Sequence, residues 1–128
     1  IGSKEVISCV DKLRMPYNIS MFTQVIANRF FKKPSIIKSY IEQVKSERKI
    51  IQNFMEKIPE IKFYDSDSNF ILIELKKSKE LFNFFKKNNL IVKSFFNDKR
   101  LKYCLRLTVG SSKENKKLLS LMKVFFHI

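Results

Sequence analysis

Histidine occurs once, at His127, and cysteine twice, at Cys9 and Cys104, with no C-x-x-C and no clustered histidines beside either thiol. Such spacing provides no metal-ligand set, and two reduced, buried thiols are expected, as in a cytosolic protein. No apolar run approaches the ~20 residues that a membrane helix needs, and the first residues lack the charged, apolar, small-residue order of a signal peptide. The sequence therefore predicts no membrane partner and a cytoplasmic location. Glycine (2), proline (3), tryptophan (none) and alanine (Ala27 alone) are scarce as well. Lysine, isoleucine, asparagine and phenylalanine abound instead, residues whose codons can be written with A and T alone. A genome biased toward A and T leaves that imprint on any protein.

Acidic residues are also few, 12 against 26 Lys+Arg, which gives a net charge of +14. Charge of that size by itself suggests a polyanion such as RNA. Only five of the 26 are arginine, however, and the basic residues are scattered in ones and twos on amphipathic segments rather than gathered in a block. No Gly-x-aromatic signature of an RNA-recognition sheet is present, and at 45% hydrophobic content the 13 phenylalanines are expected to fill a core. A nucleic-acid partner is not expected.

Length allows one domain with a modest core. The chain begins with isoleucine and opens directly into helix-like sequence over residues 3–13, with Val6, Ile7 and Val10 on one side, so a piece of a longer polypeptide is expected. Pro16 breaks that helix. A second helix is predicted over 20–31, with Phe22, Val25, Ile26, Arg29 and Phe30 on one face. The longest, over 35–58, starts behind Pro34 and stops at Pro59. Ile37, Ile41, Val44, Ile51, Met55 and Ile58 recur there at steps of three and four, interrupted by Arg48. Strands are predicted at 61–64, at 70–75 as a central strand apolar on both faces except for Glu74, and at 90–93. A helix at 78–88 closes on Asn88-Asn89, and a charged loop covers 97–102.

The stretch from Tyr103 to Asn115 is the most informative. Leu105, Leu107 and Val109 alternate with Cys104, Arg106 and Thr108, the period of a strand with two faces. Gly110 turns the chain, and Ser111 with Glu114 forms an S-x-x-E capping box at the head of a last helix, 112–126. Arg106 stands on the face away from the leucines, either as an ordinary exposed arginine or as a guanidinium fork for a carboxylate or phosphate. The fold class expected is α+β, a small mixed or antiparallel sheet with helices packed on it.

Three segments, in order, resemble the histidinol-phosphate aminotransferases, pyridoxal-phosphate enzymes of fold type I. They are Lys12-Leu13-Arg14-Met15-Pro16-Tyr17-Asn18-Ile19-Ser20, Ser66-Asp67-Ser68-Asn69-Phe70-Ile71-Leu72-Ile73, and Cys104-Leu105-Arg106-Leu107-Thr108-Val109-Gly110-Ser111-Ser112-Lys113-Glu114-Asn115. The resemblance runs almost from end to end and corresponds to the last third of such an enzyme. It implies the C-terminal small domain, 1–128, with 1–33 as a helical connecting segment leading into it.

By the same resemblance, the parent enzyme moves amino groups from glutamate to imidazole-acetol phosphate through pyridoxal 5'-phosphate, giving 2-oxoglutarate and histidinol phosphate in histidine biosynthesis. The parent would work as a homodimer. The cofactor lysine belongs to a large domain upstream of the match, so residues 1–128 are expected to be inactive alone and to bind no cofactor or metal themselves. Arg106 would grip the glutamate carboxylate and then the phosphate of the other substrate, and Lys93 aligns with a second basic position where relatives often carry arginine. Asn69, the Pro16-Tyr17-Asn18 loop and Gly110-Ser111-Ser112 read as structural. Two alternatives stay open: another fold-type-I enzyme, such as an aromatic aminotransferase or threonine-phosphate decarboxylase, and a non-catalytic basic binding module.

Overall fold

In a computed structural model, the described residues are 2–16 and 18–128; Ile1 and Tyr17, including the Tyr17 part of the expected loop, lie outside them. The chain divides into two compact units, 1–38 and 39–128.

The first unit contains α1 (Lys4–Leu13) and α2 (Met21–Phe31). Both begin on serine caps. Ser3 Oγ accepts the Val6 N–H at 3.4 Å, and Ser20 Oγ accepts the Thr23 N–H at 3.1 Å, each satisfying a donor that the first turn leaves without a helical partner. Neither helix has a buried residue. This corrects two expectations. Cys9, on α1, is an exposed thiol rather than a buried one, and Phe22 and Phe31 are 75% and 74% exposed rather than core. The helices have the predicted apolar faces, but amphipathicity predicts which face would be buried, not that something buries it.

α3 (Pro34–Met55) starts at the predicted proline and ends three residues earlier than the apolar spacing suggested. Ile58 precedes Pro59, whose ring disfavours helical backbone in that residue, and the Ile58 N–H turns back to the Met55 carbonyl at 2.9 Å. The predicted stripe is fully buried within the helix only at Ile51 and Met55, while Ile41 stays 48% exposed.

The second unit is built on a four-stranded sheet, β1 (Lys62–Phe63), β2 (Phe70–Glu74), β3 (Lys93–Ser94) and β4 (Cys104–Thr108), in the order β1-β2-β4-β3. Every neighbouring pair is antiparallel, so the sheet is not mixed. α4 (Ser78–Lys87) connects β2 to β3, and α5 (Ser112–Phe126) follows β4. Strand pairing begins later than the 90–93 reading. Asn89 takes a left-handed φ of 55°, the Leu90 N–H returns to the Phe85 carbonyl at 2.9 Å, and Leu90 and Val92 pack against the core before the ladder starts at Lys93.

One sheet face is dry. Ile71, Ile73, Leu105 and Leu107 are at most 1% exposed and pack with Ile51, Met55, Leu81, Phe85, Leu118 and Met122 from α3, α4 and α5. Burying each such side chain contributes on the order of 1.5–3 kcal/mol. That core is aliphatic with Phe85 at its centre; Phe54, Phe63, Phe82, Phe84, Phe96, Phe125 and Phe126 lie around its edge. Among the described residues, no helix is long and apolar enough to cross a membrane.

Candidate functional site

The opposite sheet face carries the candidate residues. Residues directly paired across an antiparallel ladder share a face, with Cβ atoms about 4.5–5.5 Å apart. Leu72 pairs with Arg106, and Arg106 pairs with Lys93, so these three form one row across β2, β4 and β3. A second row, Lys62, Glu74 and Cys104, runs beside it across β1, β2 and β4, and Phe70 pairs with Thr108 on the other side. Arg106 and Lys93 are exposed; Phe70, Leu72 and Glu74 are half-buried.

Arg106 and Lys93 are both cations, and like charges set directly opposite oppose sheet formation. Among the described residues neither makes an ion pair; the ion pairs present involve other groups. The Arg106 guanidinium rests instead over the Phe70 ring, 5.0 Å from its centroid, a cation–π contact that holds the side chain on the open face without neutralising it. Two adjacent, unneutralised cations with an apolar floor at Leu72 and Phe70 are suited to an anion with paired oxygens.

The ends of the strands are fixed by polar ties. Ser111 caps α5, and its own N–H donates to Glu114 at 2.8 Å, completing the predicted capping box. The Gly110 N–H donates to Asn115 Oδ1 at 2.9 Å, and Asn115 Nδ2 donates to the Gly110 carbonyl and to Glu47. Ser112 also donates to Glu47. These two contacts, Ser112 first, hold the Glu47 carboxyl below its ordinary value. The Gly110 and Ser111 N–H groups are thus committed within the protein. Arg48, which interrupts the α3 stripe, donates to the Ser68 carbonyl at 2.6 Å and thereby pins the loop that delivers β2. Asn69 contributes its backbone carbonyl, which accepts the Val109 N–H at 2.8 Å.

Cys104 is the buried thiol that was expected: it is 2% exposed although alternation puts it on the same face as Arg106, and burial pushes its thiol pKa up. Sequence reasoning missed the cluster beside it. Tyr64 donates to Glu74 at 2.6 Å, while Lys62 stands 3.9 Å from the same carboxylate and lies over the Tyr64 ring. The period-two spacing of Lys62 and Tyr64 was the available signal; their common partner on β2 was not visible without the register. Among the described residues, no three potential metal ligands come together.

The chain matches the family described as aminotransferase class I and II over residues 1–121. It is 32% identical over 126 residues to a histidinol-phosphate aminotransferase of Vesicomyosocius okutanii, covering 98% of this chain and 36% of that protein. Its fold is similar to that of the histidinol-phosphate aminotransferase from Clostridium acetobutylicum, with a TM-score of 0.83 at 23% identity over 98% of this chain and 39% of that one. The L-threonine-O-3-phosphate decarboxylase from Porphyromonas gingivalis also shares the fold, with a TM-score of 0.69 at 16% identity over 100% of this chain and 41% of that one. The chain therefore spans roughly a third of the length of such relatives. With the match extending from the serine-capped helices through the arginine strand into α5, this chain belongs to the class I and II aminotransferases.

Proposed function

We propose that residues 1–128 are the substrate-anchoring C-terminal domain of a histidinol-phosphate aminotransferase, with 1–33 as the helical segment leading into it. The reaction read for the whole enzyme converts histidinol phosphate and 2-oxoglutarate to imidazole-acetol phosphate and glutamate. The observation that carries this reading is the Leu72–Arg106–Lys93 row, an unneutralised cationic pair on an open sheet face. The substrate of one half-reaction presents a carboxylate and that of the other a phosphate. A guanidinium fork accepts either, because both offer paired oxygens at similar spacing. Lys93 adds charge without a fork and favours the more highly charged phosphate.

Pyridoxal 5'-phosphate, the cofactor this family implies, supplies the electron sink for amino transfer. This reading places its seat outside residues 1–128. The one helix N-terminus beside the site, that of α5, has its Gly110 and Ser111 N–H groups bonded within the turn. In this reading, cofactor binding and the proton transfers fall to the rest of a full-length, cytoplasmic homodimer, and these 128 residues alone do not transaminate. Their share is to bind and orient the anionic end of the substrate.

The test is a substrate-range assay on the full-length protein. Histidinol phosphate with 2-oxoglutarate is expected to give the highest kcat/KM, above phenylalanine transamination and above decarboxylation of threonine phosphate. A preference for either of the latter assigns the domain to a different enzyme of the same fold.

A further inference from the structure

The open face carries a carboxylate beside the cationic row, Glu74, whose hydrogen bond and ion pair go to other residues. Glu74 lies two residues along β2 from Leu72, the direct partner of Arg106. That makes it a diagonal neighbour of Arg106, about 7–8 Å away between backbones and within reach of two long side chains. Left to itself, the pair would close into an ion pair and occupy the fork. Instead, the Glu74 carboxylate accepts from Tyr64 Oη at 2.6 Å and stands 3.9 Å from Lys62 Nζ, both reaching over from the β1 side of the sheet. Arg106 leans the other way, over Phe70.

We propose that Tyr64 and Lys62 are positioning residues that hold Glu74 off Arg106 and so keep the guanidinium open to an external anion. This rests on the reading of Arg106 as the substrate anchor. Tyr64 is the main tether, since its hydroxyl makes the short bond; Lys62 adds charge at longer range, and its ammonium is held above its ordinary pKa first by Tyr64 and then by Glu74. The arrangement discriminates between two anions competing for one cation. The internal carboxylate has the advantage of proximity, and only a better local partner removes it.

The experiment measures the dissociation constant of 2-oxoglutarate for the full-length protein by calorimetry, with thermal unfolding of each variant alongside. Tyr64→Phe and Lys62→Met are each expected to weaken binding by about three- to fivefold, the range of an exposed ion pair made newly available to Arg106. Adding Glu74→Gln to either variant is expected to restore the wild-type constant, because the competitor no longer carries charge. A merely structural tie behaves differently, since its loss would weaken binding equally with and without the Glu74→Gln change, and that result overturns the proposal. Unchanged binding in both single variants overturns it as well. Arg106→Ala separates the two layers. If it weakens binding while Tyr64→Phe does not, the positioning role alone fails; if it has no effect, the anchor reading fails and this proposal with it.

Discussion

A methyl group on Gly110 would lie 2.7 Å from Oε2 and 3.2 Å from Cβ of Glu114, because the capping glutamate folds back over the turn to reach the Ser111 N–H. Glycine is required there by space, not by a left-handed dihedral, since neither glycine has a positive φ. Gly110→Ala is therefore expected to displace that carboxylate and to cost about 1 kcal/mol, the value of a helix cap, in urea unfolding. The cost should largely vanish in a Glu114→Ala background, where the carboxylate is gone and only the 3.2 Å contact with Cβ remains. Ser78 is the opposite case. It opens α4 and has the residue type of a cap, yet its hydroxyl is buried with no partner and Lys77 occupies the cap position. Ser78→Ala is expected to be neutral or to raise stability by up to about 1 kcal/mol, because it removes an unsatisfied polar group. The place of Arg106 on the open face was legible at this scale from alternation alone. Lys93 as its neighbour was not, because nothing local to residues 90–94 states which residue of β4 it faces.

Among the elements, those with local signals were readable and those defined by a partner were not. The serine caps of α1, α2 and α5, the asparagine exit of α4 and the apolar run of β2 are written in consecutive residues. β3 is two residues long and exists only through Arg106 and Leu105 opposite it. Arg48 looked like a charged break in the α3 stripe, and Glu47 beside it carried no signal of its own. Their partners, Ser68 and Ser112, lie 20 and 65 residues away, so their roles as ties between elements emerge only in the fold. Arg48→Met is expected to cost about 1.5–3 kcal/mol by leaving the Ser68 carbonyl without its charged donor, measured by urea unfolding. Glu47 predicts a pH dependence. Its folded pKa lies below the unfolded value, so the stabilisation is full above the ordinary glutamate range and is lost as pH falls through the lowered folded pKa. Glu47→Gln should flatten that part of the unfolding midpoint's acid slope while leaving the curve above pH ~6 unchanged in shape.

At the scale of the whole molecule, every buried hydrophobic side chain among the described residues lies between Ile51 and Met122, and the side chains packed around them lie between Val44 and Phe126. Residues 34–128 thus contain the whole of that core and an intact α3, and the segment alone is expected to unfold in one cooperative urea transition. The net charge of +14, the most conspicuous number in the composition, resolves into lysines scattered over helices, loops and strands, two cations of the set sharing one row of the open sheet face. In the proposed function this row grips the anionic end of a substrate. The deciding measurement is the KM for glutamate of the full-length protein carrying Arg106→Ala or Arg106→Lys. Loss of a charge-assisted fork predicts a rise in KM of about ten- to a hundredfold for alanine, with lysine recovering only part of it. A KM within about twofold of wild type for both variants, less than a single neutral hydrogen bond is worth, would contradict the account.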